Sequence, residues 1–132
     1  MSGDWDVLVV DDEPIVCASI RMVLEARGFR VATVADGHSA LAHPAADDCR
    51  LVLCDLMLAE SSGLDVLHAL HRRRPELPVV MITGYATAES AVQATQAGAA
   101  GFLPKPFDET ELLNLVRRAL QPNDAVHEEE SP

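Results

Sequence analysis

The chain has 132 residues, 48% of them hydrophobic, a length that fits one domain with a single core. Its 21 acidic and 10 basic residues give a net charge of -11, which opposes binding to nucleic acids or anionic membranes. No apolar stretch approaches the ~20 residues that cross a bilayer, and the N-terminal residues do not resemble a signal peptide, so we expect a cytoplasmic protein.

Short apolar runs alternate with amphipathic segments along the chain. The predicted strands cover residues 6–10, 30–34, 50–54, 79–82 and 100–103. The predicted helices cover residues 15–27, 36–43, 62–73, 87–97 and 109–120. Strands and helices that alternate at this spacing predict an α/β fold with a parallel sheet and helices on both faces.

Helix boundaries follow from local chemistry. One of the acidic residues Asp12 and Glu13 is expected to cap the first helix, whose first turn accommodates Pro14. Gly28 and Gly98 are expected to end two helices, because glycine readily adopts the left-handed conformation found there. Residues 122–132 are rich in Pro, Asp and Glu, so we predict a domain at 5–121 followed by an acidic tail or the start of a linker.

Four of the apolar runs end on polar residues that can handle a phosphoryl group. Asp11 and Asp12 follow the first run, Asp55 the third, Thr83 the fourth, and Lys105, the only lysine, the fifth. The carboxyl ends of parallel strands lie along one edge of a sheet. We therefore expect these side chains to converge, although they are far apart in the sequence.

The three carboxylates predict a metal site. Adjacent carboxylates repel each other, and a cation relieves this repulsion. Carboxylate oxygens suit Mg²⁺, whereas softer metals need His or Cys, and the edge offers only Cys54, which is expected to point into the core. Asp55 can act as a nucleophile toward phosphorus once the metal and Lys105 offset the charge of the transition state.

The combined motifs resemble the receiver domain of bacterial two-component response regulators. They are the pair at 11–12, the segment D-L-M-L-A-E-S-S-G at 55–63, I-T-G-Y at 82–85 and K-P-F at 105–107. The resemblance covers roughly residues 5–120. It implies a flavodoxin-like fold, a five-stranded parallel sheet of order 2-1-3-4-5, and transfer of a phosphoryl group from a kinase phosphohistidine to Asp55.

The resemblance also assigns roles within the site. Asp11 and Asp12 would hold Mg²⁺ together with Asp55 and the backbone carbonyl of Met57. Lys105 would pair with the phosphoryl group, and its peptide bond to the following proline is expected to be cis, a form that is accessible only before proline.

The resemblance further implies a conformational switch. Thr83 would move toward a phosphoryl oxygen, and Phe102 would rotate inward behind it. The surface formed by the helix from Thr87, the strand that contains Phe102 and the helix from Glu109 would then change for a partner.

Two positions near the acceptor are of interest. Ala59 stands where receivers commonly have proline, so we expect the loop at 55–63 to be more mobile than usual. Tyr85 occupies a position at which family side chains influence access of water to the acyl phosphate, and its bulk suggests shielding. The alternative is a surface tyrosine.

Two other functions fit some of the same residues. A Mg²⁺-dependent phosphatase or phosphotransferase would also use an aspartyl nucleophile, but Asp55 lacks a D-x-D motif and the chain has no lid domain. A pseudo-receiver would bind partners without phosphate, which the intact set of site residues argues against. We therefore expect a signalling phosphoacceptor and not an enzyme.

The resemblance implies the class of partners. They are a sensor histidine kinase or a histidine phosphotransfer protein, and an output domain or partner protein, with a phosphorylation-linked dimer among the outcomes. The sequence fits a stand-alone regulator, the receiver of a hybrid kinase or the N-terminal part of a transcription factor, and residues 83–105 are similar to receivers that precede ATPase-type activators.

Overall fold

The computed structural model describes residues 3–121, and the predicted acidic tail at 122–132 lies outside them. The five strands are β1 (Val7–Val10), β2 (Val31–Val34), β3 (Leu51–Asp55), β4 (Val79–Thr83) and β5 (Gly101–Pro104). The helices of the described residues are α1 (Pro14–Glu25), α2 (Gly37–Ala42), α3 (Ala45–Asp48), α4 (Gly63–Arg73), α5 (Ala88–Gln96) and α6 (Glu109–Ala119). All strand pairs are parallel, and the order β2-β1-β3-β4-β5 confirms the predicted topology.

Two apolar cores lie on opposite faces of the sheet. One packs α1 and α6 against it through residues such as Ile20 and Leu112, and the other packs α2, α3, α4 and α5 through residues such as Ala40 and Leu67. Strands β1, β3 and β4 are buried along their whole length, because helices cover both faces. The prediction of helices on both faces is confirmed.

Short helix α3 was not predicted, because four residues are too few to show a helical period. Ala45 and Ala46 are buried against the sheet, and the Ala45 N–H donates to His43 Nδ1. With α3 counted, the helix predicted from Thr87 is α5 and the helix predicted from Glu109 is α6. The predicted switching surface therefore consists of α5, β5 and α6.

The predicted helix ends are confirmed at several positions. Gly28 and Gly98 have positive φ angles of 91° and 102°, and Asp108 forms a reciprocal capping box with Glu111. The predicted cap of α1 is wrong in one respect. Glu13 occupies the N-cap position, but its side chain makes no capping hydrogen bond. None of the helices among residues 3–121 is long and apolar enough to span a bilayer.

Candidate functional site

The three predicted carboxylates meet at the carboxyl end of the sheet. Asp11, Asp12 and Asp55 have oxygen atoms that all lie within 4.8 Å of one another. Strands β1 and β3 are paired with Val10 opposite Cys54, so the residues that follow Val10 and Cys54 emerge side by side. Asp11 and Asp55 are buried, with 1% and 5% of their surface exposed, whereas Asp12 is half-buried.

Lys105 reaches this cluster from the end of β5. Its Nζ lies 3.0 Å from Asp55 Oδ2, 3.0 Å from Asp11 Oδ2 and 2.8 Å from Glu13 Oε1. Burial by itself would lower the pKa of the ammonium, but the contacts with Glu13, Asp11 and Asp55 outweigh it and raise the pKa above its ordinary value. Lys105 therefore stays charged at neutral pH, and its peptide bond to Pro106 is cis as expected.

Hydrogen bonds hold the backbone around Asp55. Its Oδ1 accepts the Met57 N–H at 3.0 Å, and the Leu56 N–H donates to the Ile82 carbonyl at 2.7 Å. Gly63 closes the loop by donating its N–H to the Leu56 carbonyl at 2.8 Å. A Cβ atom at Gly63 would overlap the Asp55 carbonyl oxygen and lie 2.9 Å from Leu56 Cα, so only glycine fits without movement of this loop.

An open cleft of about 350 Å³ gives access to the acceptor, and the protein residues around it are mostly those predicted. They are Asp12, Glu13, Asp55, Met57, Gly84, Tyr85 and Lys105. Cys54, by contrast, is fully buried in the core, as expected. The cleft is large enough to admit a phosphoryl group beside Asp55.

Thr83 is buried at the end of β4, with 1% of its surface exposed. Its Oγ1 accepts the Tyr85 N–H at 3.0 Å, and its carbonyl accepts the Lys105 N–H at 2.7 Å. Thr83 does not cap the helix that follows it, because Thr87 occupies the N-cap of α5. Tyr85 is 72% exposed and lines the cleft, which leaves its shielding of an acyl phosphate a prediction.

Phe102 is the predicted residue that does not join the cluster. It lies on β5 opposite Met81, is half-buried, and lines a separate cavity of about 740 Å³ that also contacts His71 and Leu115. Phe102 lies on the edge strand of the sheet and packs against the apolar core on the face covered by α2, α3, α4 and α5. Its role in a switch stays a prediction.

Sequence reasoning missed the contact of one residue in the site. Glu13 was considered only as a helix cap, yet its carboxylate makes the shortest of the ion pairs to Lys105. Its position two residues after Asp11 gives no signal for this contact, because the partner is 92 positions away.

Comparison with known proteins assigns the family. The model of the response regulator receiver domain matches residues 7–117. The chain belongs to the response regulator receiver family. This match includes every strand and all the site residues described above.

Several relatives of this receiver are similar over most of its length. It is 40% identical over 118 residues to the nitrogen assimilation regulatory protein NtrX of Azorhizobium caulinodans, covering 88% of the chain and 26% of NtrX. It is 36% identical to the transcriptional regulatory protein ZraR of Salmonella typhimurium, covering 89% of the chain and 27% of ZraR. The receiver thus spans about a quarter of the length of these relatives.

Crystal structures of receivers share the fold. The receiver domain of NtrX from Brucella abortus matches with a TM-score of 0.82 and 40% identity, over 88% of this chain and 98% of that one. At this identity the likeness extends beyond the fold to the family. The sheet order and the helices on both faces agree with such receivers.

The donor set of this receiver fits Mg²⁺. Asp11 Oδ1 accepts the Glu13 N–H at 2.8 Å, but Asp11 Oδ2 is buried without a hydrogen-bond donor and has only the ion-pair distance to Lys105. Burial raises the pKa of Asp11, although the Glu13 N–H and Lys105 oppose this shift. A hard cation beside Asp11, Asp12 and Asp55 would satisfy the free oxygen and offset the repulsion.

Proposed function

We propose that Asp55 accepts a phosphoryl group from the phosphohistidine of a sensor histidine kinase or a histidine phosphotransfer protein. The observation that carries this proposal is the distance of 3.0 Å between Lys105 Nζ and Asp55 Oδ2, at the edge of the acidic cluster. Asp11, Asp12, Asp55 and the carbonyl of Met57 would hold Mg²⁺, which supplies positive charge for the oxygens of the transferring group.

The transfer is a displacement at phosphorus. A carboxylate oxygen of Asp55 forms the new O–P bond as the N–P bond of the phosphohistidine breaks, and the leaving imidazole nitrogen takes a proton from solvent. The product is an acyl phosphate on Asp55. Lys105 contributes the protein's own cation, and its charged state at neutral pH suits it to pair with the oxygens of the transferring group.

The phosphoryl group would then act as a switch. It adds about −1.5 to −2 of charge beside Thr83, whose hydroxyl is buried near the cleft and can donate to a phosphoryl oxygen. Helix α5 has only Ala94 buried, so few apolar contacts hold it and it can shift together with β5 and Phe102. The surface of α5, β5 and α6 would present this change to a partner.

The wider role follows from the same proposal. We assign residues 5–121 to the receiver unit, a range that includes the family match over 7–117. NtrX is described as a regulatory protein of nitrogen assimilation and ZraR as a transcriptional regulator, so we propose that this receiver controls a transcriptional output in the cytoplasm. It would be a phosphoacceptor and not an enzyme that turns over an external substrate.

Acetyl phosphate and Mg²⁺ test the proposal directly. We expect intact-protein mass spectrometry to show one added phosphoryl group in the wild type and none in Asp55→Asn, or in the wild type treated with a chelator. A phosphoryl mass that persists in Asp55→Asn would place the acceptor elsewhere. Turnover of a small phosphate ester would instead favour a phosphatase.

A further inference from the structure

We propose that Glu13 is a positioning residue that holds Lys105 in the unphosphorylated protein and competes for it with the oxygens of a phosphoryl group on Asp55. The inference deepens the proposed function and rests on it. Glu13 Oε1 lies 2.8 Å from Lys105 Nζ, closer than either buried carboxylate.

Glu13 is available for this contact because it does not cap α1. Its backbone N–H is held by Asp11 Oδ1, but its side chain makes no capping hydrogen bond. The carboxylate also stands outside the acidic cluster formed by Asp11, Asp12 and Asp55. Glu13 can therefore move without disturbing either the helix or the carboxylates that would hold the metal.

Three carboxylate oxygens surround the Lys105 ammonium. Nζ donates hydrogen bonds to Glu13 and Asp55, and Asp11 Oδ2 lies 3.0 Å away as an ion pair without hydrogen-bond geometry. Phosphorylation turns the Asp55 carboxylate into an acyl phosphate, so the phosphoryl oxygens become the new acceptors for Lys105 beside Asp55. Glu13 then competes with those oxygens for the ammonium.

Glu13 is the partner that can leave most easily. Its side chain is 59% exposed, whereas the side chains of Asp11 and Asp55 are 0% and 7% exposed. The Glu13 carboxylate is hydrated as soon as it turns outward, while the other two would remain buried and poorly solvated. The exchange of Glu13 for a phosphoryl oxygen thus opposes phosphorylation by a small amount.

The single lysine provides a specific probe. In protein labelled with ¹³C at the lysine Cε, one Cε–Hε signal reports on Lys105. We expect this signal to shift in Glu13→Gln and in Glu13→Asp, whose shorter side chain keeps the charge but loses the reach. Glu60→Gln is the matched control, because Glu60 is exposed and has no hydrogen bond or ion pair among residues 3–121.

Kinetics provide the second test. With acetyl phosphate and saturating Mg²⁺, we expect Glu13→Gln and Glu13→Asp to be phosphorylated about two- to fivefold faster than the wild type, the range for an exposed ion pair. The lifetime of the acyl phosphate should stay within about twofold, because Lys105 has already left Glu13 in the phosphorylated protein. Glu60→Gln should match the wild type in both measurements.

Different results separate the hypotheses. An unchanged Lys105 signal or an unchanged phosphorylation rate in Glu13→Gln would overturn the role of Glu13 alone. If Glu13→Asp is phosphorylated at the wild-type rate while Glu13→Gln is faster, the negative charge of residue 13 controls the rate, and its direct contact with Lys105 does not. A wild type that takes up no phosphoryl group overturns the proposed function, and this inference with it.

Discussion

Lys105 and Asp55 are 50 positions apart in the chain, yet Lys105 Nζ donates a hydrogen bond to Asp55 Oδ2 at 3.0 Å. They meet because β4 lies between β3 and β5, and the Lys105 N–H is held by the Thr83 carbonyl at the end of β4. The ammonium therefore occupies the same edge of the sheet as the carboxylates that would bind Mg²⁺. A bound Mg²⁺ would therefore compete with the Lys105 ammonium for oxygens of Asp11 and Asp55.

This competition predicts that Lys105→Met binds Mg²⁺ more tightly than the wild type. Two unit charges ~4 Å apart repel by about 1 kcal/mol even in bulk water, so we expect the Kd to fall by about fivefold. Isothermal titration calorimetry at low ionic strength measures it. Lys105→Arg keeps the charge and should change the Kd much less, and weaker binding by Lys105→Met would contradict the competition.

Asp11→Asn should stabilise the metal-free protein. Burial raises the pKa of Asp11, which means that the folded state disfavours its ionised form at pH 7. Asparagine can still accept the Glu13 N–H, so we expect a gain of about 1 kcal/mol in the free energy of unfolding by urea.

In saturating Mg²⁺ the wild type should become more stable to urea than Asp11→Asn, because only the wild type keeps the full set of carboxylates. Glu76→Gln is the control, since Glu76 is exposed and has no hydrogen bond or ion pair among residues 3–121. If Asp11→Asn is less stable than the wild type in the presence of a chelator, the Asp11 carboxylate stabilises the metal-free fold and the prediction is wrong.

Gly63→Ala should damage the site through the backbone. The added methyl group would overlap the Asp55 carbonyl oxygen and press on Leu56 Cα, so the loop after the acceptor must move. We expect a loss of about 2 kcal/mol in the free energy of unfolding and slower phosphorylation by acetyl phosphate. Gly84→Ala is the matched control in the same cleft, because its Cβ would have only ordinary contacts at 3.9 Å with Lys105. Equal stability and equal phosphorylation rates of the two variants would contradict the close approach of Gly63 to the Asp55 carbonyl.

Asp6→Asn tests an ion pair at the opposite end of the sheet. Asp6 is 7% exposed and accepts hydrogen bonds from the Arg30 N–H at 2.7 Å, Nε at 3.1 Å and Nη2 at 3.0 Å. The Arg30 side chain, opposed by burial, holds the pKa of Asp6 below its ordinary value of 3.8. We expect Asp6→Asn to lose about 1–3 kcal/mol of stability at pH 7.

The pH dependence of this loss follows from the lowered pKa. The contribution of Asp6 is present above pH 3.8 and disappears as the pH falls through the lower pKa of the folded state. Urea unfolding of wild type and variant should therefore converge in acid. Asp4→Asn, at an exposed neighbour, should show little change at any pH, and a pH-independent difference between Asp6→Asn and wild type would argue against the ion pair.

Much of the fold was predictable because its signals are local. Alternating strands and helices, glycines with positive φ at 28 and 98, and the capping box at Asp108 depend on a few neighbouring residues each. Short α3 escaped prediction because its helical form depends on burial of Ala45 and Ala46 against the sheet. The capping box of Thr87 with Ser90 was also present in the sequence, and it fixes where α5 begins.

The residues themselves predicted the convergence of Asp11, Asp12, Asp55 and Lys105, because residues that follow parallel strands must share one edge of the sheet. The strand order was implied by the resemblance to receivers. Tertiary structure alone decided which oxygens Lys105 contacts. The choice of Glu13 as its shortest partner, and the close approach of Gly63 to the Asp55 carbonyl, depend on side-chain reach and on loop packing. The first contact joins residues 92 positions apart, and the second depends on how the loop at 55–63 folds back on itself, so neither follows from a local sequence pattern.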